Sequence, residues 1–255
     1  MSATIELAQQ GSVARVTLRN RLKFNAMSRA MWRELRAVFE GLQRSTDLRC
    51  VIVSGAEANF CSGGDISEYA GFRFEEASLR DFHENDVWPG LQAMLDCDVP
   101  IVAQIEGNCM GAGVEIASCC DIRLAGMSTK FGAPIARLGF PMAVRETALV
   151  AREVGLTVAR QMLLEAAIFS AVEMKAGGFL SRVVPDSALA DSAQASAQCV
   201  AALSPQAARL NKQTLRSLLN PLASIAHTDK TYAYADSAEH REGIGAFLEK
   251  RKPVF

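Results

Sequence analysis

A chain of 255 residues, 49% hydrophobic and 22% charged, has the balance of a globular protein large enough to bury a core without staples. Its formal net charge of −1 gives no whole-chain electrostatic reason to expect nucleic acid or an anionic membrane as partner. The seven cysteines are odd in number and contain no CxxC pair, and there are only three histidines. A disulfide framework and a metal site are both disfavoured, and reduced, buried cysteines are expected.

The first residues, MSATIELAQQ, lack a basic start followed by an apolar run, so no secretory signal is read. No segment approaches the roughly 20 apolar residues of a membrane helix. A cytoplasmic location is the expectation. Residues 3–9 and 12–18 alternate as a half-buried hairpin turning at Gln10-Gly11. Met27, Met31, Leu35, Val38, Phe39 and Leu42 recur at helical spacing, with Asn25 or Ser28 available as cap. Cys50 to Gly55 is a continuous apolar strand, a pattern that implies burial on both faces. A helix over Asn85 to Leu95 leads through Pro100 into a second such strand, Ile101 to Ile105. A glycine bend, a helix over 113–120 and a strand over 121–125 follow, and the last strand is 180–184. Beyond Asp186 the pattern is helical, over 188–203, 205–219 and roughly 229–249. The fold class is α/β: a core over 1–185 and a helical region over 186–255, with no linker composition to separate them.

Two strand ends carry the chemistry. After Val51–Val53 the chain reads Phe60-Cys61-Ser62-Gly63-Gly64-Asp65-Ile66-Ser67-Glu68. Adjacent glycines permit positive φ or a ligand against bare backbone, and Asp65 with Glu68 has the spacing of a capping box. The Gly64 N–H is therefore a candidate donor to a developing oxyanion, against the plainer reading of a flexible turn. After Ile101–Ile105 comes Glu106-Gly107-Asn108-Cys109-Met110-Gly111-Ala112-Gly113-Val114-Glu115-Ile116. Ile116 occupies the place of the third glycine in a dinucleotide fingerprint, and no Lys-Ser/Thr pair marks a P-loop. What remains is a second backbone donor and a carboxylate, Glu115, whose plainer role is to complement a helix start.

Together these segments resemble the enoyl-CoA hydratase/isomerase (crotonase) family. The resemblance runs from Asn20-Arg21-Leu22-Lys23-Phe24-Asn25-Ala26-Met27 through both glycine turns and Cys120-Asp121-Ile122. It continues in Phe131-Gly132-Ala133-Pro134, Leu138-Gly139-Phe140-Pro141 and Ala246-Phe247-Leu248-Glu249-Lys250-Arg251-Lys252. It implies a spiral of ββα units with a C-terminal helical trimerisation region, assembled as a homotrimer or a dimer of trimers. It also implies an acyl-CoA thioester as substrate, with coenzyme A part of that substrate and no separate cofactor. The thioester oxygen would lie between the N–H groups of Gly64 and Ala112, with Glu115 as acid/base. Lys23, Ala26, Ser62, Ile66, Phe247 and Lys250 would contact coenzyme A.

The sequence departs from the family at two places. The second catalytic glutamate of the hydratases maps to Ile135, which can neither move a proton nor orient water. The glycine-rich turn after Pro141 is replaced by Met142-Ala143-Val144-Arg145-Glu146, which should narrow or recharge the acyl pocket. Arg145 is a candidate for an acidic acyl group and Glu146 for the missing carboxylate. Neighbours on a helix point about 100° apart, so both are not expected to face substrate. His83 and Tyr69 fall in the variable region over the pocket and are read as structural. Isomerisation, which one carboxylate can complete, is favoured over hydration. Decarboxylation or thioester hydrolysis with Arg145 holding a carboxylate, and a thioester-binding protein without turnover, are the alternatives.

Overall fold

The structure is a computed structural model that describes residues 3–218 and 237–255, except the side chains of His240 and Phe247. The hairpin β1 (Thr4–Gln10) and β2 (Val13–Arg19) leads to α1 (Arg29–Gln43), capped by the Ser28 hydroxyl accepting from Met31 N–H. Asn25, the other candidate cap, is instead a loop brace at φ 61° whose side chain bonds Asn20, Ala56 and Asn59. β3 (Cys50–Gly55) is followed by α2 (Glu76–Asp81) and α3 (Trp88–Asp96), joined by a wide π-helical turn over Phe82–Val87.

From there the chain repeats a unit of two strands and a helix. β4 (Ile101–Ile105) and β5 (Asn108–Met110) precede α4 (Ala112–Ser118). β6 (Ile122–Gly126) and β7 (Lys130–Gly132) precede α5 (Val144–Val154) and α6 (Leu156–Leu164). β8 (Ile168–Ser170), α7 (Ala171–Ala176) and β9 (Arg182–Val184) close the core. α8 (Leu189–Ala201), α9 (Pro205–Leu218) and α10 (Ala238–Leu248) follow. The first part of the helix expected from residue 229 lies outside the described residues.

The first strand of each unit enters a six-stranded sheet of order β1-β2-β3-β4-β6-β9, parallel except for the hairpin. The second strand enters a small sheet, β5-β7-β8. β3 is buried along its length because both faces are covered. Val51 and Val53 point into the cluster that holds Met31, Leu35 and Phe39 of α1; Cys50 and Ile52 meet Leu189, Ala193 and Ala197 of α8. The helical region is bonded onto the core. On α9, Lys212 Nζ donates to Val99 O at 3.0 Å and pairs with Asp121 at 2.8 Å, and Arg209 donates to Ser45 O and Leu48 O. Six of the seven cysteines are buried, Cys199 is exposed, and all are free thiols. Among the described residues no helix is long and apolar enough to cross a membrane.

Candidate active site

The two glycine turns lie side by side. The segment after β3 runs along β5: Phe60 N–H donates to Glu106 O at 2.7 Å, Cys61 N–H to Asn108 O and Met110 N–H to Cys61 O, both at 2.9 Å. On its other side Met27 N–H donates to Gly63 O at 2.8 Å, and Met27 O accepts from Asp65 N–H at 2.9 Å. That bridge takes the peptide groups flanking Gly64 and turns the Gly64 amide away from Met27. The Gly64 N–H has no hydrogen-bond partner among the described residues.

At the second turn, Gly111 N–H donates to Gly132 O at 2.8 Å, and Gly111 O receives Glu115 N–H at 3.1 Å. Ala112 is the first residue of α4, where an amide has no acceptor within its own helix. Its N–H also has no partner among the described residues. Gly63 at φ 117° and Gly111 at φ 47° hold conformations that side chains rarely adopt. The contact between turns is close: a Cβ on Gly113 would lie 2.6 Å from Cys61 O, and one on Gly111 would lie 3.7 Å from Gly63 Cα.

Gly64 and Ala112, the residues with these unpartnered amides, line one cavity of about 250 Å3, together with Glu115, Tyr69, His83 and Ile135. Glu115 is 9% exposed, and its carboxylate accepts no hydrogen bond from the described residues. Burial, reinforced by the charge of Glu146, pushes its pKa up to about 8. Ile135 contributes only hydrocarbon. Tyr69 sits over the first turn, with its hydroxyl 2.1 Å from where a Cβ on Gly64 would be. Burial raises its phenol pKa. Arg73 lies in the same wall with its guanidinium 4.5 Å from the Tyr69 ring centroid and 3.8 Å from that of Phe140. It has no carboxylate partner among the described residues, and burial lowers its pKa.

The other expected site residues are placed unevenly. Ser62 and Ile66 line the cavity. The Ser62 N–H donates to Phe24 O and its hydroxyl to Lys23 O, so neither is free for a ligand as the chain stands. Lys23 Nζ grips Asp65 at 2.7 Å and the Ser67 hydroxyl at 2.7 Å, bracing the turn that carries Gly64. Ala26 is buried beside them. Asp65 does cap the following helical turn, accepting from Ser67 N–H at 3.2 Å. Glu68 departs from the capping box and accepts instead from Arg29 N–H at 2.8 Å.

Arg145 lies apart from the cavity. It is half-exposed, paired with Glu84 at 3.1 Å and set over Trp88, on an outer groove and not among the residues lining the Glu115 cavity. Its neighbour Glu146 is the buried residue, 2% exposed, with Oε1 3.1 Å from His83 Nδ1, and it too lines the outer groove and not the Glu115 cavity. Lys250 is exposed and does not line the cavity, and the Phe247 side chain lies outside the described residues. Among the described residues no group of three or more His, Cys, Asp or Glu side chains could hold a metal.

Comparison with known proteins fits this geometry. The sequence matches the family model described as enoyl-CoA hydratase/isomerase over residues 8–255. The chain belongs to that family. It is 29% identical to a probable enoyl-CoA hydratase of Mycobacterium bovis, over 99% of this chain and 97% of that protein. It is 30% identical to the 2,3-dehydroadipyl-CoA hydratase of Escherichia coli, over 98% of this chain and 97% of the relative. A crystal structure of an enoyl-CoA hydratase/carnithine racemase from Magnetospirillum magneticum superposes with a TM-score of 0.95 at 36% identity, covering 100% of this chain and 96% of that one. The enoyl-CoA hydratase of Bacillus anthracis gives 0.90 at 26%, with 98% of each chain covered. The crotonase-like fold expected from the resemblance is thereby established, and the chain is an enzyme of the hydratase/isomerase family that acts on acyl-CoA.

Proposed function

We propose that the chain holds an acyl-CoA thioester with its carbonyl oxygen between the N–H groups of Gly64 and Ala112, and that Glu115 transfers a proton at the adjacent carbon. One observation carries this reading: two residues on touching turns, whose amides have no partner among the described residues, line the same cavity as a buried carboxylate. Removing a proton beside the carbonyl places negative charge on its oxygen. Each fixed donor in a water-poor site is worth roughly 3–4 kcal/mol of barrier. The donors are set in place by the hydrogen bonds of the two turns, so they need no reorganisation during reaction.

With Ile135 in the place of a second carboxylate, Glu115 alone can complete isomerisation, taking the proton at one carbon and returning it two carbons away. Coenzyme A would run past Lys23, Ala26, Ser62 and Ile66, with Phe247 and Lys250 closing over the nucleotide in a homotrimer or dimer of trimers. A cytoplasmic enzyme is the matching setting. Light scattering of the purified protein reports the oligomer directly.

Incubation with a 3-enoyl-CoA, followed by absorbance and mass, tests the reaction. Conversion to the 2-enoyl isomer, lost in Glu115→Gln with acyl-CoA binding retained, supports the reading; unchanged turnover in that variant removes Glu115 from the mechanism. A second reading, decarboxylation or thioester hydrolysis with a cation holding a substrate carboxylate, no longer has Arg145 to draw on. It retains support from Arg73, a cation of the cavity wall with no carboxylate partner among the described residues. Release of carbon dioxide or of free coenzyme A from a malonyl-type thioester would favour it.

A further inference from the structure

The cavity contains a second ionisable group that isomerisation by Glu115 leaves unused. His83 belongs to the wide helical turn over Phe82–Val87 and lines the same cavity as Glu115 and Ile135. Its Nδ1 lies 3.1 Å from Oε1 of Glu146, which is buried at 2% exposure at the start of α5. An ionised carboxylate only accepts, so the contact places a proton on Nδ1, and in the neutral ring the lone pair is then on Nε2. No described residue bonds Nε2. The ring is further fixed against Phe82, 5.1 Å between centroids.

An imidazole held at Nδ1 by a buried carboxylate, on a residue that lines the cavity and with no described partner at Nε2, has the parts of a general base oriented in advance. Glu146 lies close enough to Glu115 for its charge to act there, so the pair and Glu115 belong to one cluster.

We propose that His83, oriented by Glu146, is the second proton-transfer group of this site and supplies what Ile135 cannot. This rests on the seating of the thioester at Gly64 and Ala112. In water addition to a 2-enoyl-CoA, Nε2 removes a proton from water as its oxygen bonds to the β-carbon. The electron pair of the double bond moves onto the thioester oxygen as an enolate. The enolate then takes the proton of neutral Glu115 at the α-carbon. The imidazolium proton returns to the Glu115 carboxylate through solvent, and the sum is one water added across the double bond. His83 touches the reacting water; Glu146 is a positioning residue acting through the ring.

The test compares two rates on each protein: water addition to crotonyl-CoA, and deuterium uptake at the α-carbon of a saturated acyl-CoA, which asks only for Glu115 and the two amides. In His83→Gln the ratio of water addition to exchange should fall by about 100-fold, the usual scale of general acid–base catalysis. Glu146→Gln should lower the ratio less, and Glu146→Asp should recover part of it, which a merely structural contact would not require. A second variant, His83→Asn, guards against misfolding of the first, with circular dichroism as control. A ratio within twofold of the parent in both His83 variants overturns the proposal. So does an unmodified enzyme that exchanges the α-proton but adds no water, although the Glu115 reading would then survive. An enzyme that does neither would bring down both.

Discussion

Replacing Ala112 by proline deletes one proposed donor while leaving the fold nearly untouched. Ala112 is the first residue of α4, a position where proline is well tolerated because the amide has no partner inside the helix. Gly111 before it has φ 47° and ψ −109°, away from the helical region that a following proline disfavours. No hydrogen bond of the described protein is lost, because the Ala112 N–H makes none. The melting temperature should therefore stay within a few degrees of the parent. The reaction loses a donor fixed on the enolate oxygen, worth roughly 3–4 kcal/mol, so kcat/KM for the isomerisation of a 3-enoyl-CoA should drop about 100- to 1,000-fold. The assay is dienyl or enoyl absorbance under subsaturating substrate, with a thermal melt on the same sample. A variant that melts normally and keeps kcat/KM within threefold of the parent would refute the role of this amide.

Three further outcomes follow from the same geometry. The Glu115 pKa, about 8 in the folded chain, lies above its ordinary value of 4.5, so folding takes up a proton between these values. The parent should therefore lose stability relative to Glu115→Gln as pH rises from about 5 to 8, seen as a widening gap in melting temperature; a constant gap would contradict the burial argument. If Glu115 acts as base in isomerisation, kcat/KM should rise with pH up to about 8, because only the carboxylate form accepts the proton. Glu146→Gln should move that midpoint downward by removing a neighbouring negative charge, and an unmoved profile would uncouple the two residues. Arg145→Ala breaks a pair with Glu84 in which both side chains are about half exposed, worth at most about 1 kcal/mol. Turnover should stay within twofold, and a tenfold loss would return Arg145 to the substrate.

The pattern of residues exposed much of this before any coordinates. The unbroken apolar run Cys50–Gly55 implied two covered faces, and its side chains do divide between α1 and α8. Both glycine turns were legible because a positive φ or a bare backbone contact demands a residue without Cβ, and Gly63, Gly111 and Gly113 meet those demands.

What the sequence concealed depends on contacts between distant segments. The helix expected over Asn85 to Leu95 begins beside Asp86, yet Asp86 is buried at 1% exposure between Arg29 and Arg33, inside a longer helical path. That path begins at Glu76. The rule that adjacent helix residues diverge separates Arg145 from Glu146, and the two do differ, one half-exposed and the other buried. It could not say which. The answer turns on His83, 63 residues away, which gives the buried Glu146 carboxylate a partner. Asp65 with Glu68 satisfied a local capping pattern, but the free amide of Arg29 captured Glu68 from outside the segment. Tyr69 carried no signal of its own; only the fold lays its hydroxyl over Gly64.

A crystal structure with a saturated, unreactive acyl-CoA bound measures the central claim directly. The account predicts a thioester oxygen about 2.7–3.2 Å from the backbone nitrogens of both Gly64 and Ala112, with the α-carbon facing Glu115. An oxygen turned toward solvent, or held by neither amide while the cavity is filled, would contradict it.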